Sequence, residues 1–414
     1  MLDSKRVAAF IARKRRDQGL TQAQVAEKLG VSYQAVSKWE RGTIPNVEIV
    51  VELAKLLQVS ADTLLAGGES WFSYEKAGID LESLDAFARD AASFCAPDGP
   101  RVVSVPGYAP LLLDIHFPEM QDPLLIMSAD TIGAKCKIAA KFGYTEVVGR
   151  DIVNDLIVHT CSAGGHPLAL TDSLISGNAD HGLLRSLIKG ISEACRENEC
   201  ALLGGSTCIQ PQTMRLGEYT LSATMVGVVE KRKVVDGSTI KEGDIILVVA
   251  SNGLHTSHYT QMRVMLEEMP QIEKQKIEGE TFIQHLMRPH PSYYKALKPL
   301  LGRPELHGMP VLTIGGLANS RQLYKIMPDG LTAELDLRKL RPLPFFCFLK
   351  NASGYDEQEM LYNHNCGVGL YLIVDKDSAE EISKEIGQYF DCYELGRVKA
   401  GDKKVVLKNH IKWE

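Results

Sequence analysis

Residues 20–42 read LTQAQVAEKLGVSYQAVSKWERG, and no other stretch constrains the fold so tightly. Thr21 is a good helix N-cap, and Gln24 three residues on can reach back to its amide, so a capping box starts a helix there. Gly30 stops that helix. Ser32 offers a second N-cap, Ala35, Val36 and Trp39 make an apolar stripe at helical spacing, and Gly42 with Pro45 ends the run. Two short helices around a tight glycine turn result.

Such a pair has the helix-turn-helix form, whose second helix enters the major groove and meets base edges with its N-terminal residues. Here the candidates are Ser32, Tyr33, Gln34, Ser37 and Lys38, with Arg41 just beyond. Gln can bond adenine bidentately, Lys can bond guanine or phosphate, and Gln22 in the preceding helix can hold a phosphate. The competing reading is a helical protein-docking module in which Tyr33 and Gln34 are merely solvated. Through Arg41 there are nine Lys or Arg against four acids, a local +5 in a chain of net charge -6. That asymmetry suits phosphate attraction, although a run such as RKRR alone is often only a solvated face. The segment through Gly68 resembles the Cro/repressor type of helix-turn-helix domain, the xenobiotic-response-element-like family. The resemblance implies a first helix over 4–18 and two more near 47–57 and 61–65.

The chain has 414 residues, 45% hydrophobic and 24% charged, enough for about three domains of ordinary globular material. The N-terminus is charged at once, and no apolar run reaches the roughly 18 residues a membrane helix needs, so a cytoplasmic protein is expected. Nine cysteines contain no CxxC pair, which argues against a zinc ribbon or a thioredoxin motif and for free thiols in cores. Gly67, Gly68, Glu69 and Ser70 read as a polar hinge. Beyond it strands alternate with helices: 102–105, 124–128, 168–170, 219–229 and 245–250 read as strands, and 183–198 as a helix. A mixed α/β or α+β body follows.

Three pieces of that body can carry chemistry. SADTIGAK at 128–135 places Asp130 at a strand end, followed by Gly133 and Lys135: a carboxylate for a metal, a bend for close approach and a cation for phosphate. The same string also suits an ordinary strand-to-helix turn. Gly204 and Gly205, before Ser206 and Thr207, can let phosphate approach backbone amides or simply make a turn. SNGLHTSHY at 251–259 puts His255 and His258 in a polar loop, available for acid-base work or only solvated.

In this order and at these separations the pieces resemble the aminoimidazole ribonucleotide (AIR) synthetases, the phosphoribosylformylglycinamidine cyclo-ligases. Supporting strings are SYEKAGID at 73–80, GRD at 149–151, VGVVEK at 226–231, Asp236-Gly237, Gly243-Asp244, Pro289 with Tyr293 and Lys295, Glu359-Met360 and NCGVG at 365–369. The resemblance runs from about Trp71 to the C-terminus. It implies a multidomain chain: an all-α helix-turn-helix domain at 1–68, then an α+β AIR-synthase-like module. The N-terminal half of that module, 71–235, would form a β-barrel across a dimer, and its C-terminal half, 236–414, an α/β sandwich. In this family ATP phosphorylates an amide oxygen and an internal nitrogen closes the ring, with magnesium neutralising the phosphates.

Carried over, Asp130 and Lys135 match the family's D-G-V-G-T-K, Asp151 its G-x-D, and His255 the histidine of its H-S-N-G-Y. These imply Asp130, Lys135 and His255 as catalytic, Asp130 and Asp151 on a metal, and Asp130, Gly133, Lys135, Asp151, Gly204 and Gly205 around ATP. Elsewhere the chain departs. G-G-E-T has become Gly204-Gly205-Ser206-Thr207, losing a carboxylate; H-S-N-G-Y has become 255–259, HTSHY; T-G-G-G is reduced to TIGGL at 313–317; and the arginine after P-T is Pro291. The family's N-D-L-V-V-Q-G-A-E-P aligns without a gap so that Val158 and His159 replace its Asn-Asp pair. With compensating gaps, Asn154 and Asp155 keep it. Asp155 would still share a helix face with Asp151.

Losing one metal carboxylate or one transition-state contact commonly costs several kcal/mol, about two orders of magnitude in rate. The expectation is therefore a homodimeric regulator that binds double-stranded DNA at a palindromic operator and senses a purine-pathway ribonucleotide or ATP, its catalytic site partly lost. The alternative is a working ATP-dependent cyclo-ligase with a regulatory DNA-binding domain.

Overall fold

The structure is a computed structural model that describes residues 3–68, 74, 77–95, 101–104, 112–211, 213–312, 316–318, 320–402 and 404–413. Parts of the expected hinge and of the strings at 73–80 and 313–317, and the end of the expected strand at 102–105, lie outside these. The chain divides into two compact units, Met1–Gly78 and Ile79–Glu414.

Among the described residues the first unit is five helices: α1 (Ser4–Asp17), α2 (Gln22–Leu29), α3 (Tyr33–Trp39), α4 (Val47–Leu56) and α5 (Ala61–Leu65). The local signals act as the sequence implies. Thr21 and Gln24 close the capping box, Gly30 caps α2 in the left-handed region at φ 64°, and the Ser32 side chain accepts from the Ala35 amide. Val36 and Trp39 turn inward and meet Val7, Phe10, Ile11, Val25, Leu53 and Leu64 in one core. Gly67 and Gly68, read as part of a polar hinge, lie against α1. A Cβ on Gly68 would come within 2.6 Å of the Phe10 ring, so close packing requires glycine there.

The second unit opens with α6 (Leu81–Phe94) and a short ribbon of β1 (Val102–Val103) and β2 (Leu112–Leu113). Then come β3 (Pro123–Ile132), α7 (Lys135–Phe142), α8 (Thr145–Ser162), β4 (His166–Ser176), α9 (His181–Glu197), β5 (Ala201–Ile209) and β6 (Tyr219–Glu230). These strands form a sheet in the order β3-β6-β4-β5, antiparallel except for the β4–β5 pair. The α8 helix is the spine of this half: most of its residues are buried and none is exposed, and it packs on α9, β3 and β6.

The other half holds β7 (Ile245–Ala250), α10 (Tyr259–Glu268), the β8 (Lys276–Ile277) and β9 (Glu280–Thr281) hairpin, β10 (Leu306–Gly308), β11 (Leu331–Asp336), β12 (Val368–Val374), β13 (Cys392–Ala400) and β14 (Val405–Lys408). Six of these strands make a sheet in the order β10-β12-β7-β13-β11-β14. Two neighbouring inner strands are buried almost throughout, β7 as a run of aliphatics and β12 with Gly369 and Tyr371 among its aliphatics, as strands covered on both faces should be. All nine cysteines are free, five of them buried. Among the described residues no helix is long and apolar enough to cross a membrane.

Two local expectations are corrected. Asp130 and Thr131 belong to β3 itself, because pairing with β6 continues through Ile132 opposite Leu221. Gly204 and Gly205 are not a turn but the middle of β5. There a Cβ on Gly205 would meet Asp172 Oδ1 at 2.3 Å, so the glycine admits a neighbouring carboxylate.

Candidate functional site

In the helix-turn-helix unit, Ser32, Tyr33, Gln34, Lys38 and Arg41 are exposed and Ser37 is half-buried; Tyr33 keeps 56% of its surface. At that exposure Tyr33 is no part of the core, which Val36 and Trp39 supply from the same helix. Gln22 is engaged: its Nε2 donates to Glu40 Oε2 at 2.6 Å. Glu40 is also gripped by Arg15, through Nε at 2.6 Å and Nη2 at 3.1 Å, while Arg15 Nη1 donates to Leu20 O. Burial opposes ionisation of Glu40, yet the bonds from Arg15 and Gln22 outweigh it and hold the carboxyl below its ordinary value. This clamp fixes the end of α3 to α1. The sequence reading missed it, since Arg15 sits inside a run that looks uniformly solvated.

In the enzyme-like unit the expected residues separate into three places. Lys135, the first residue of α7, and Asp151 on α8 form an ion pair at 2.6 Å with neither side chain exposed. Lys135 Nζ also donates to the carbonyls of His255 and Arg288, and Asp151 Oδ1 accepts from the His290 amide at 2.7 Å. Burial works against both charges, lifting the Asp151 carboxyl and opposing the ammonium. The carboxylate more than offsets this for Lys135, which is held protonated, and the three hydrogen bonds to the His255 and Arg288 carbonyls and from the His290 amide support the ionised pair.

His255 lies against this pair. Tyr293 donates its hydroxyl proton to Ala250 O, so His255 Nε2, at 3.1 Å, is the donor to Tyr293. The imidazole ring lies 4.1 Å from that of His290 at a tilt of 37°, and burial, then the neighbouring His290 and Lys135, hold it well below its ordinary pKa. It is a neutral ring with one nitrogen committed. His258 keeps the left-handed backbone, φ 67°, at the position where the family has glycine.

Gly204 and Gly205 are elsewhere, in the wall of a cavity of about 850 Å³ with Phe87, Cys95, Asp172 and Thr207. Burial pushes the Asp172 carboxyl up to about 7. Asp130, Gly133, Lys135 and Asp151 are not among the residues lining this cavity. Gly133 has open space where a side chain would stand.

Asp130 meets a different partner set. Residues 151, 155 and 159 are spaced by four along α8, and Asp155 and His159 come within ligand distance of Asp130, one donor atom each within 4.8 Å. The two alignments therefore describe neighbours, not alternatives. Burial and then the Asp130 charge push the Asp155 carboxyl up to about 8. A magnesium ion wants a near-octahedral shell of oxygens. The Asp130 and Asp155 carboxylates supply oxygen of that kind, while the His159 imidazole adds a nitrogen that favours late first-row metals, and the further carboxylate of the family is here the hydroxyl of Ser206.

His290, which sequence reasoning passed over, is the hub of the site. Its carbonyl accepts from Asn154 Nδ2, which is tied through Asn198 to Ser292, strapping the 288–292 segment to α8. Only a histidine between two prolines marked it in the sequence.

Comparison with known proteins gives these features a lineage. The helix-turn-helix family profile matches residues 11–64, and the N- and C-terminal domain profiles of AIR synthase related proteins match 114–229 and 241–409. The phosphoribosylformylglycinamidine cyclo-ligase of Paraburkholderia phymatum is 33% identical over 337 residues, spanning 79% of this chain and 92% of the relative. That of Neisseria meningitidis serogroup B is 31% identical over 334 residues, spanning 79% and 95%. Among solved structures, Escherichia coli HypE aligns with a TM-score of 0.57 at 14% identity over 79% of this chain and 94% of its own. Thiamine-monophosphate kinase from Stenotrophomonas maltophilia gives 0.54 at 16% over 80% and 96%. HypE in complex with ATP gives 0.54 at 18% over 81% and 92%. The latter three share the fold. Over about four-fifths of its length the chain belongs to the phosphoribosylformylglycinamidine cyclo-ligase (AIR synthase) family, and ahead of that module it carries a helix-turn-helix domain of the xenobiotic-response-element type.

Proposed function

We propose that this protein is a cytoplasmic, homodimeric DNA-binding transcriptional regulator whose cyclo-ligase-like module binds a purine-pathway ribonucleotide or ATP as effector. One observation carries the reading. Ser32, Tyr33, Gln34, Lys38 and Arg41 stand exposed on and beside α3, while Lys135, the cation that the resemblance assigns to phosphate, is sealed against Asp151. Ser32, Tyr33, Gln34, Ser37, Lys38 and Arg41 would read bases and phosphates. Likeness to HypE in complex with ATP supports ATP as one effector class. The edge strand β3 supports a dimer: Leu124, Leu125 and Met127 are exposed on it at 39%, 50% and 72%. Two copies would present two α3 helices to half-sites about one helical turn apart. Effector acts by binding the DNA-competent and incompetent arrangements unequally.

A second reading, an ATP-dependent cyclo-ligase that also binds DNA, is favoured by the 31–33% identity across nearly the whole length of the two cyclo-ligases. Purified protein given ATP, magnesium and formylglycinamidine ribonucleotide separates the two. The regulator reading expects no phosphate release above background, with a thermal shift on adding ATP or ribonucleotide. Steady turnover to aminoimidazole ribonucleotide overturns it.

A further inference from the structure

Asp130 from β3 faces Asp155 and His159 from α8, each offering one ligand atom within 4.8 Å of the others. His159 Nε2 is 3.8 Å from Asp155 Oδ2, and His290 Nε2 is 3.9 Å from Asp155 Oδ1 on its other side. Donors sharing one ion through bonds of about 2.1 Å stand roughly 3–4 Å apart, so the group is already near coordinating distance.

Two contacts orient these donors. Thr256 Oγ1 donates to Asp155 Oδ1 at 3.0 Å. His290 Nδ1 lies 2.9 Å from Pro291 O, and since a carbonyl only accepts, Nδ1 carries the proton and Nε2 presents its lone pair toward Asp155. A histidine whose other nitrogen donates to a backbone carbonyl is the usual arrangement behind a metal-bound imidazole. Asp130 is exposed and His159 half-buried, which leaves the group open to an ion from solvent.

We propose that Asp130, Asp155 and His159, with His290 beside them, bind a divalent transition-metal ion of the zinc or cobalt class in place of magnesium. Imidazole nitrogen raises affinity for late first-row metals and adds little for magnesium, which holds its waters and prefers oxygen. The chain has therefore changed the metal its site selects rather than simply lost one. This stands on the donor geometry, independently of DNA binding or any effector.

Cobalt(II) is the probe, because nitrogen-bound cobalt absorbs visibly. Full-length protein stripped with a chelator is expected to bind one Co2+ per chain with a visible band that survives a large excess of Mg2+ and disappears on adding Zn2+. His159→Ala is expected to weaken Co2+ binding about tenfold or more while far-UV circular dichroism stays unchanged. Should that variant misfold, His159→Asp serves, with the band lost and Mg2+ now competing. No visible band, displacement by Mg2+ at equal concentration, or unchanged Co2+ affinity in a folded His159 variant overturns the proposal.

Discussion

Lys135 Nζ and Asp151 Oδ2 stand 2.6 Å apart with neither side chain exposed, so the cation that the resemblance assigns to phosphate is spent inside the protein. Breaking such a pair leaves an uncompensated buried charge. Asp151→Asn is expected to lower unfolding free energy by about 3–5 kcal/mol in urea titration. Replacing both residues, Lys135→Met with Asp151→Leu, should restore much of that loss. An Asp151→Asn protein as stable as the original would mean that the pair is not the anchor described.

The Arg15–Glu40 clamp makes a prediction for the other unit. Glu40→Gln should cost about 2 kcal/mol, the scale of charge-assisted bonds. Hydrogen exchange of the α1 and α3 amides reads it. Because the folded carboxyl sits below its ordinary 4.5, its contribution is present above that value and lost as pH falls through the folded one. Protection in α1 and α3 should therefore fall on acidification in the original protein and change less in the variant.

Asp172 gives the opposite sign. Its carboxyl is raised from 3.8 to about 7, so the stabilisation is whole below pH 3.8 and drains away as pH rises toward 7. Asp172→Asn is expected to flatten denaturation midpoints across that window and to be more stable than the original above pH 7. Parallel pH curves for the two proteins would show that the carboxyl is not held neutral.

The apolar edge of β3 tests the dimer. Met127→Lys places a charge at the most exposed member of the row and should shift light-scattering mass from dimer to monomer, with little change in melting temperature. A monomeric original protein would remove the dimer from the account.

The helix-turn-helix unit was legible almost residue by residue, because its signals are local. Thr21 with Gln24, Gly30 and Ser32 each act within four residues, and the structure repeats them. The enzyme-like site was legible as a set of residues but not as an arrangement. Nothing near Asp130 says that it lies within a strand, since its β6 partner, Ala223, is remote in sequence. Asp155 and His159 look like rivals in an alignment, yet one helical turn brings both to Asp130. Arg15 and His290 gain their roles only from partners across the fold, Glu40 for one and the α8 residues for the other. Such long-range pairing leaves no periodic trace.

The central claim is that α3 reads DNA in a chain built on a cyclo-ligase. Full-length protein should be mixed with fragmented genomic DNA, and the retained fragments sequenced, beside a Gln34→Ala/Lys38→Ala protein of equal stability. The account predicts enrichment of a palindromic sequence with half-sites about one helical turn apart, lost in the double variant. Retention of no sequence above background, or the same sequences retained by both proteins, would contradict it.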